Sequence, residues 1–334
     1  MKKGFWKNRS VLVTGGAGFI GSWICHDLVQ CGAAVVSLDL KKSRSYLGEV
    51  ENRALRKVIF ISGDVRDEKK LAALFKTYAF DNVFHMAARA IVGDNIANPG
   101  ECLDSNIRGT WLLLEAVRAL NKRIISVVIA SSDKAYGFQK ALPYKEELEL
   151  HGAGHPYDCS KASADTIARM YAAVYGLNVG VIRSGNVYGG GDLNFSRLIP
   201  DTIRLLYSNK PVKIRSSGKL TRDYVYVNDV ARAYIMFGEA LHSRKVAKGE
   251  ALNIGCNNPI AVLQAVTKIS VLMGKERIRP VILNIAKHEI KDQYLDSSKA
   301  KKLLGWEPRY SLEDGLRRTI LWYLDYFEKH GAES

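Results

Sequence analysis

Apolar residues recur along the first half of the chain in two alternating rhythms. Short, mostly apolar runs at 11–13, 34–38, 58–61, 82–86 and 126–130 predict strands, the last apolar from Val127 to Ala130, as expected when both faces of a sheet are covered. Between them the apolar positions return at helical spacing. Ile20, Trp23, Ile24, Leu28 and Cys31 share one face after the first run, and Gly32 closes that helix. A helix is predicted over 68–78. Leu103, Ile107, Trp111, Leu114 and Val117 form a stripe that predicts one long helix over 99–120. Strand and helix in alternation predict an α/β fold on a doubly wound parallel sheet.

The rhythm lapses at 137–156, where Gly152, Gly154 and Pro156 mark a loop. A helix over 157–175 and a sixth strand over 179–183 follow. After Gly189-Gly190-Gly191 the order turns irregular. It runs through a helix at 199–207, strands at 212–215 and 224–227, and helical patterns at 230–240, 260–273, 298–304 and 312–327. This predicts a main domain over 1–185 and a smaller mixed C-terminal lobe over 186–334, with some strands returning to the main sheet. The lobe should cap the carboxyl edge of the sheet, where ligands of such folds bind.

The turn after the first strand sharpens this reading. Gly16, Gly18 and Gly21 fit G-x-G-x-x-G, while Gly15, Gly18 and Gly21 fit the wider G-x-x-G-x-x-G. Either spacing lets backbone approach a pyrophosphate and aims free N–H groups of a helix start at it. The fold expected is therefore of the Rossmann type, binding a dinucleotide. Asp39 ends the second strand eighteen positions after Gly21, where a carboxylate accepts hydrogen bonds from a ribose. It favours NAD over NADP, because it repels a 2′-phosphate. Lys41, Lys42 and Arg44 follow at once and offset part of that repulsion.

Composition adds limits. A chain of 334 residues can bury a sizeable core. No apolar run approaches a bilayer span and residues 1–10 lack the apolar centre of a signal peptide, so a cytoplasmic protein is expected. The five cysteines form no C-x-x-C pair or zinc spacing, which predicts reduced thiols and no metal site. The net charge of +15 suits an anionic ligand, and would also suit nucleic acid or an anionic membrane. No long basic run or aromatic-interleaved basic stripe accompanies it. A solvated surface is the expectation, with neither nucleic acid nor membrane as partner.

Two groups carry candidate chemistry. The fifth strand ends in Ser131-Ser132-Asp133-Lys134, and the helix after the loop opens with Tyr157-Asp158-Cys159-Ser160-Lys161. Tyrosine and lysine four apart share a helix face. A free tyrosine ionises at about pH 10, too high for a base at neutral pH. A nearby ammonium and a cationic nicotinamide ring are expected to favour the phenolate. Tyr157 can then remove a hydroxyl proton while hydride leaves the same carbon, with Ser132 holding that hydroxyl in line. His85, at a strand end, reads as a packed or hydrogen-bonded histidine, and Cys159 as an inert thiol.

At this point the sequence resembles the extended short-chain dehydrogenase/reductases, in their nucleotide-sugar epimerase and dehydratase branch. The stretches that carry the resemblance are Thr14 to Gly21, Asp64-Val65, His85-Met86-Ala87-Ala88, Asn106 to Thr110, Tyr157 with Lys161, Arg183 to Gly189, and Arg222 to Asp229. The resemblance implies NAD held by Gly15, Gly18, Phe19, Ile20 and Gly21, with Asp39, Asp64, Val65, Ala87, Tyr157 and Lys161 as further contacts. It implies a nucleotide diphosphate sugar held by Asn186, Arg197 and Arg222. It also implies a homodimer or dimer of dimers, paired through the helices bearing Trp111 and Tyr157.

Asp133-Lys134 narrows the branch. Sugar 4-epimerases generally carry small residues there, whereas 4,6-dehydratases must also expel the C6 hydroxyl. The Asp-Lys version most resembles dehydratases acting on CDP-glucose, as do Phe5-Trp6-Lys7 and Arg197 to Asp201. The same pair occurs in dehydratases acting on UDP-N-acetylglucosamine, so the nucleotide stays open. The resemblance implies Lys134 as the base at C5 and Asp133 as the acid at the C6 hydroxyl, giving a 4-keto-6-deoxy sugar. The bland reading of Asp133 and Lys134 is an ion pair at the strand end. Two alternatives accompany the dehydratase: a nucleotide-sugar 4-epimerase on the same Tyr157 chemistry, and a non-catalytic Rossmann-type binder.

Overall fold

The computed structural model describes residues 4–40, 52–119, 126–152, 154–285 and 290–332. Lys41, Lys42 and Arg44, weighed above against Asp39, lie outside them. The predicted strands form one parallel sheet. These are β1 (Ser10–Thr14), β2 (Ala34–Asp39), β3 (Ile59–Ser62), β4 (Asn82–His85), β5 (Ser126–Ser132) and β6 (Asn178–Ser184). A seventh strand, Ala251–Ile254, completes the order Ala251–Ile254, β6, β5, β4, β1, β2, β3. The order reverses between β1 and β4, which opens a crevice at their carboxyl ends.

Helices cover both faces. On one lie α1 (Phe19–Gln30) and Val227–His242, whose Ile24, Leu28, Phe237 and Leu241 join Val13 and Phe84 of the sheet in one core. On the other, α2 (Glu68–Thr77), α3 (Gly109–Ala119) and α4 (Pro156–Tyr175) bury Leu74, Leu113 and Ala168 against Leu12, Val83 and Val127. Beyond residue 185 the chain thus does two things. Val227–His242 and Ala251–Ile254 return to the main sheet, while short strand pairs build the lobe. In it Asn186–Tyr188 pairs with Tyr224–Tyr226, and Thr221–Arg222 lies between Ile260–Ala261 and Asp292–Gln293.

Two predicted helices differ from the structure. The helix expected over 99–120 is interrupted: Pro99–Leu103 runs into a π-helical turn at Asp104–Arg108 before α3. The wider turn shifts the buried face, so Leu112, Leu113, Leu114 and Val117 point inward while Trp111 is 37 % exposed. Asn106 holds the turn. Its Oδ1 accepts from Arg89 N at 2.7 Å and its Nδ2 donates to Ser160 Oγ at 2.9 Å. The pattern at 260–273 starts as a strand, Ile260–Ala261, before the helix Val262–Leu272. Among the described residues no helix is long and apolar enough to cross a membrane, and no cluster of His, Cys, Asp and Glu is arranged to hold a metal ion.

Candidate active site

The carboxyl ends of β1, β4, β5 and β6 open onto a cleft of about 1000 Å³, closed on its far side by the lobe. Gly15, Gly18 and Gly21 line it and Gly16 does not, the set given by the wider glycine spacing. Gly16 turns inward, where an added Cβ would press on Cys25 Sγ at 2.9 Å. Gly15 has φ 71°, and a Cβ there would stand 2.7 Å from the Ala87 backbone. At Gly21 a Cβ would fall on the Gly15 carbonyl oxygen. Helix α1 has no side-chain cap and no acidic residue in its first turn, so its N–H groups and dipole are left for an anion. Phe19 and Ile20 also line the cleft.

Four residues expected at the cofactor stand beside this wall rather than in it. Asp39 Oδ2 accepts from Ala17 N at 3.1 Å, fastening the end of β2 to the glycine turn. Asp64 takes Arg66 Nη2 at 2.7 Å, which holds its carboxyl below the usual carboxylate range. Val65 packs under Gly109, and Ala87 N donates to Thr14 Oγ1 at 3.3 Å. His85 is packed as expected: it bonds Thr14 Oγ1 at 2.7 Å and Thr110 Oγ1 at 3.1 Å, and burial pushes it down to about 3. Cys159 is exposed.

The second wall comes from β5 and α4. Beyond β5, Asp133–Tyr136 forms one 3₁₀ turn whose cap is Ser132, with Oγ accepting from Lys134 N at 3.2 Å and donating to Asp133 Oδ1 at 3.0 Å. Lys134 Nζ donates to both Asp133 oxygens at 3.1 and 3.0 Å. The two do form an ion pair, and they form it inside the cleft. Arg183 of β6 sets this turn against α4. Fully buried, it bonds Asp165 of α4 at 2.8 and 3.0 Å and the Tyr136 hydroxyl at 2.9 Å.

On α4, Lys161 Nζ lies 5.8 Å from the centre of the Tyr157 ring and donates to Ala130 O at 2.7 Å. The expected lowering of the phenol's pKa is not present in the free protein. Burial pushes Tyr157 up to about 12; Arg197 and a hydrogen bond with Ser132 oppose the rise, while Asp133 adds to it. Desolvation outweighs the local cations until a ligand brings further positive charge.

Burial also lowers Lys161 to about 8. The unfolded chain, with an ordinary lysine at about 10.4, then holds more protons than the native one between these values. Stability therefore rises with pH through that window, and the buried charge costs on the order of 3 kcal/mol below it. The melting temperature of Lys161→Met relative to wild type is expected to be highest below about pH 8. That advantage should shrink towards pH 10, which thermal melts across this range would check. A gap constant with pH would show that the ammonium is not desolvated.

The lobe completes the cleft with Asn186, Arg197 and Arg222. Arg197 pairs with Asp192 at 2.8 Å, and Arg222 Nη1 donates to Thr221 O at 2.8 Å. Asn186 Nδ2, Ser131 Oγ and Thr202 Oγ1 are buried at this cleft without a partner among the described residues. Buried polar atoms are normally satisfied, so these fit a polar ligand. The glycine turn, the uncapped helix and these orphaned atoms together suit a dinucleotide and a second polar molecule.

A family model described as GDP-mannose 4,6 dehydratase matches residues 12–319. The chain belongs to this family. A UDP-glucuronate 4-epimerase from Thermodesulfobacterium geofontis is 35 % identical over 326 residues, covering 95 % of this chain and 97 % of its own. A CDP-glucose 4,6-dehydratase from Salmonella typhimurium is 32 % identical over 334 residues, covering 96 % and 92 %. The solved dTDP-glucose 4,6-dehydratase from Streptomyces venezuelae with NAD bound superposes with a TM-score of 0.85 at 28 % identity, covering 96 % and 98 %. Dehydratases and 4-epimerases thus stand at similar distance from this member of the family.

Two side chains next to the residues lining the cleft escape a reading of the sequence for chemistry. Asp158, next to Tyr157, is raised to about 6 by burial, with Lys134 and His155 opposing and Asp133 adding to the rise. Its place beside Tyr157 was a visible signal. Gln293 had none. Its buried amide accepts from Lys134 Nζ through Oε1 and donates to Asp133 O at 3.1 Å through Nε2, from a two-residue strand about 160 positions away.

Proposed function

We propose that the chain is a nucleotide-sugar 4,6-dehydratase acting on CDP-glucose or a related NDP-hexose, with NAD retained through the cycle. One observation carries this reading: the Asp133–Lys134 pair stands in the same cleft as Tyr157 and Ser132. Oxidation and reduction at C4 alone need no such pair. Elimination of the C6 hydroxyl needs both an acid and a base. When bound, NAD supplies the hydride acceptor at C4 and the donor at C6. Gly15, Gly18 and Gly21 admit its pyrophosphate, and Asp39 favours a ribose without a 2′-phosphate.

The chain's own residues then move protons. Tyr157 takes the C4 hydroxyl proton while Ser132 holds that hydroxyl. With C4 a ketone, the C5 proton is acidic and passes to Lys134, and Asp133 protonates the C6 hydroxyl, which leaves as water; once hydride has returned to C6, Lys134 gives the proton back to C5. A proton shift from Nζ to a carboxylate oxygen, along contacts of 3.0 and 3.1 Å, turns the resting ion pair into the amine and acid this step needs. Asn186, Arg197 and Arg222 bind the nucleotide diphosphate. The exposed apolar side chains Trp111, Met170 and Val174 on α3 and α4 form the face for a second copy, and a monomer in light scattering would remove that assignment.

Incubation with CDP-, dTDP- and UDP-glucose and GDP-mannose is expected to give, with at least one, the alkali-induced absorbance of a 4-keto-6-deoxy sugar. A C4 epimer without that product would favour the second reading. That reading, a 4-epimerase, draws on the epimerase relative at 35 % identity.

A further inference from the structure

We propose that Gln293 is the positioning residue that aims Lys134 at the cleft. The inference rests on the dehydratase reading, in which Lys134 takes the C5 proton. Gln293 lies on Asp292–Gln293, in register with Thr221–Arg222, so the strand paired with the one that carries Arg222 brings this amide to the end of β5. Its side chain is 1 % exposed, and both of its polar atoms are spent on the acid–base pair.

The two partners determine which way the amide faces. The Asp133 carbonyl can only accept and the Lys134 ammonium can only donate, so Nε2 must meet the first and Oε1 the second. Glutamate would set an oxygen against the carbonyl, and leucine would meet neither. A lysine side chain has many rotamers, and Lys134 is 26 % exposed, so Asp133 alone holds it at one point. With Gln293 it is held at two. In the neutral amine one N–H is held by Asp133 and the other by Gln293 Oε1, so the swing and rotation of Nζ at the cleft are both restricted. The same amide grips the Asp133 backbone, so acid and base are kept in one geometry by one side chain.

The test uses the full-length protein with NAD and the nucleotide hexose that wild type dehydrates. Gln293→Leu is expected to lower kcat for the keto-deoxy product by about 10²-fold, the scale set by a misplaced reacting group. KM should stay within about twofold, since no sugar contact is lost. On rapid mixing the near-ultraviolet absorbance of reduced nicotinamide should build up, because C4 oxidation continues while elimination lags. Gln293→Asn keeps both groups but is one methylene short, and should fall between, at about 10-fold below wild type. If Gln293→Leu does not fold, the Asn variant decides.

A folded variant with wild-type kcat and no build-up overturns the inference and leaves the dehydratase reading standing. A loss confined to KM also overturns it. Absence of keto-deoxy product from wild type itself removes the reading and the inference together.

Discussion

Tyr157→Phe is expected to lower turnover by about 10³-fold while NAD affinity stays within about twofold. The ring remains, and with it the packing and the Lys161 contact at 5.8 Å, so the loss is that of one proton acceptor. In the free protein burial sets this phenol at about 12, against Arg197 and Ser132 and with Asp133. The positive charge of bound NAD should lower that value, so in the loaded enzyme kcat/KM should climb with pH towards a phenol range below that of the free protein. The variant should lack that climb. Rates measured over a pH series, with NAD binding followed by fluorescence, check both parts. Full turnover in the variant would remove Tyr157 from the chemistry.

The second large effect is expected at the acid. Asp133→Asn should lower formation of the keto-deoxy product by about 10³-fold and leave C4 oxidation in place. The carboxamide keeps the volume and can still accept from Lys134, but it has no proton for the departing hydroxyl. Its own stability cost is about 1 to 2 kcal/mol, because one hydrogen bond to a charged group is weakened and Lys134 reaches solvent. Product analysis by NMR beside a thermal melt separates chemistry from folding. An epimerase with the same Tyr157 would keep its C4 exchange nearly unchanged, so this variant also divides the two readings of the site.

The parallel sheet was legible because its strands, most of them four to seven residues long, pair an apolar run with a glycine or polar stop. The glycine turn was legible as a ligand site but not in its register. Two spacings fit, and Gly16 was removed from the wall only by its neighbours Ser37 and Cys25. The helix over 99–120 failed for a related reason: Asn106 draws one turn open by bonding Arg89 and Ser160, partners distant in the chain. The strands Thr221–Arg222 and Asp292–Gln293 are two residues each, too short to show alternation.

What the amino-acid order alone determined are the features that depend on near neighbours. They include the sheet's strands, the glycine turn, the shared face of Tyr157 and Lys161, and Asp133 beside Lys134. Only the tertiary structure decided which glycines line the cleft and how strongly burial opposes ionisation of Tyr157. It also brought Gln293 onto the acid–base pair. Periodicity and spacing act over one or two turns of chain, whereas desolvation and a hydrogen bond spanning about 160 residues exist only once the layers have closed.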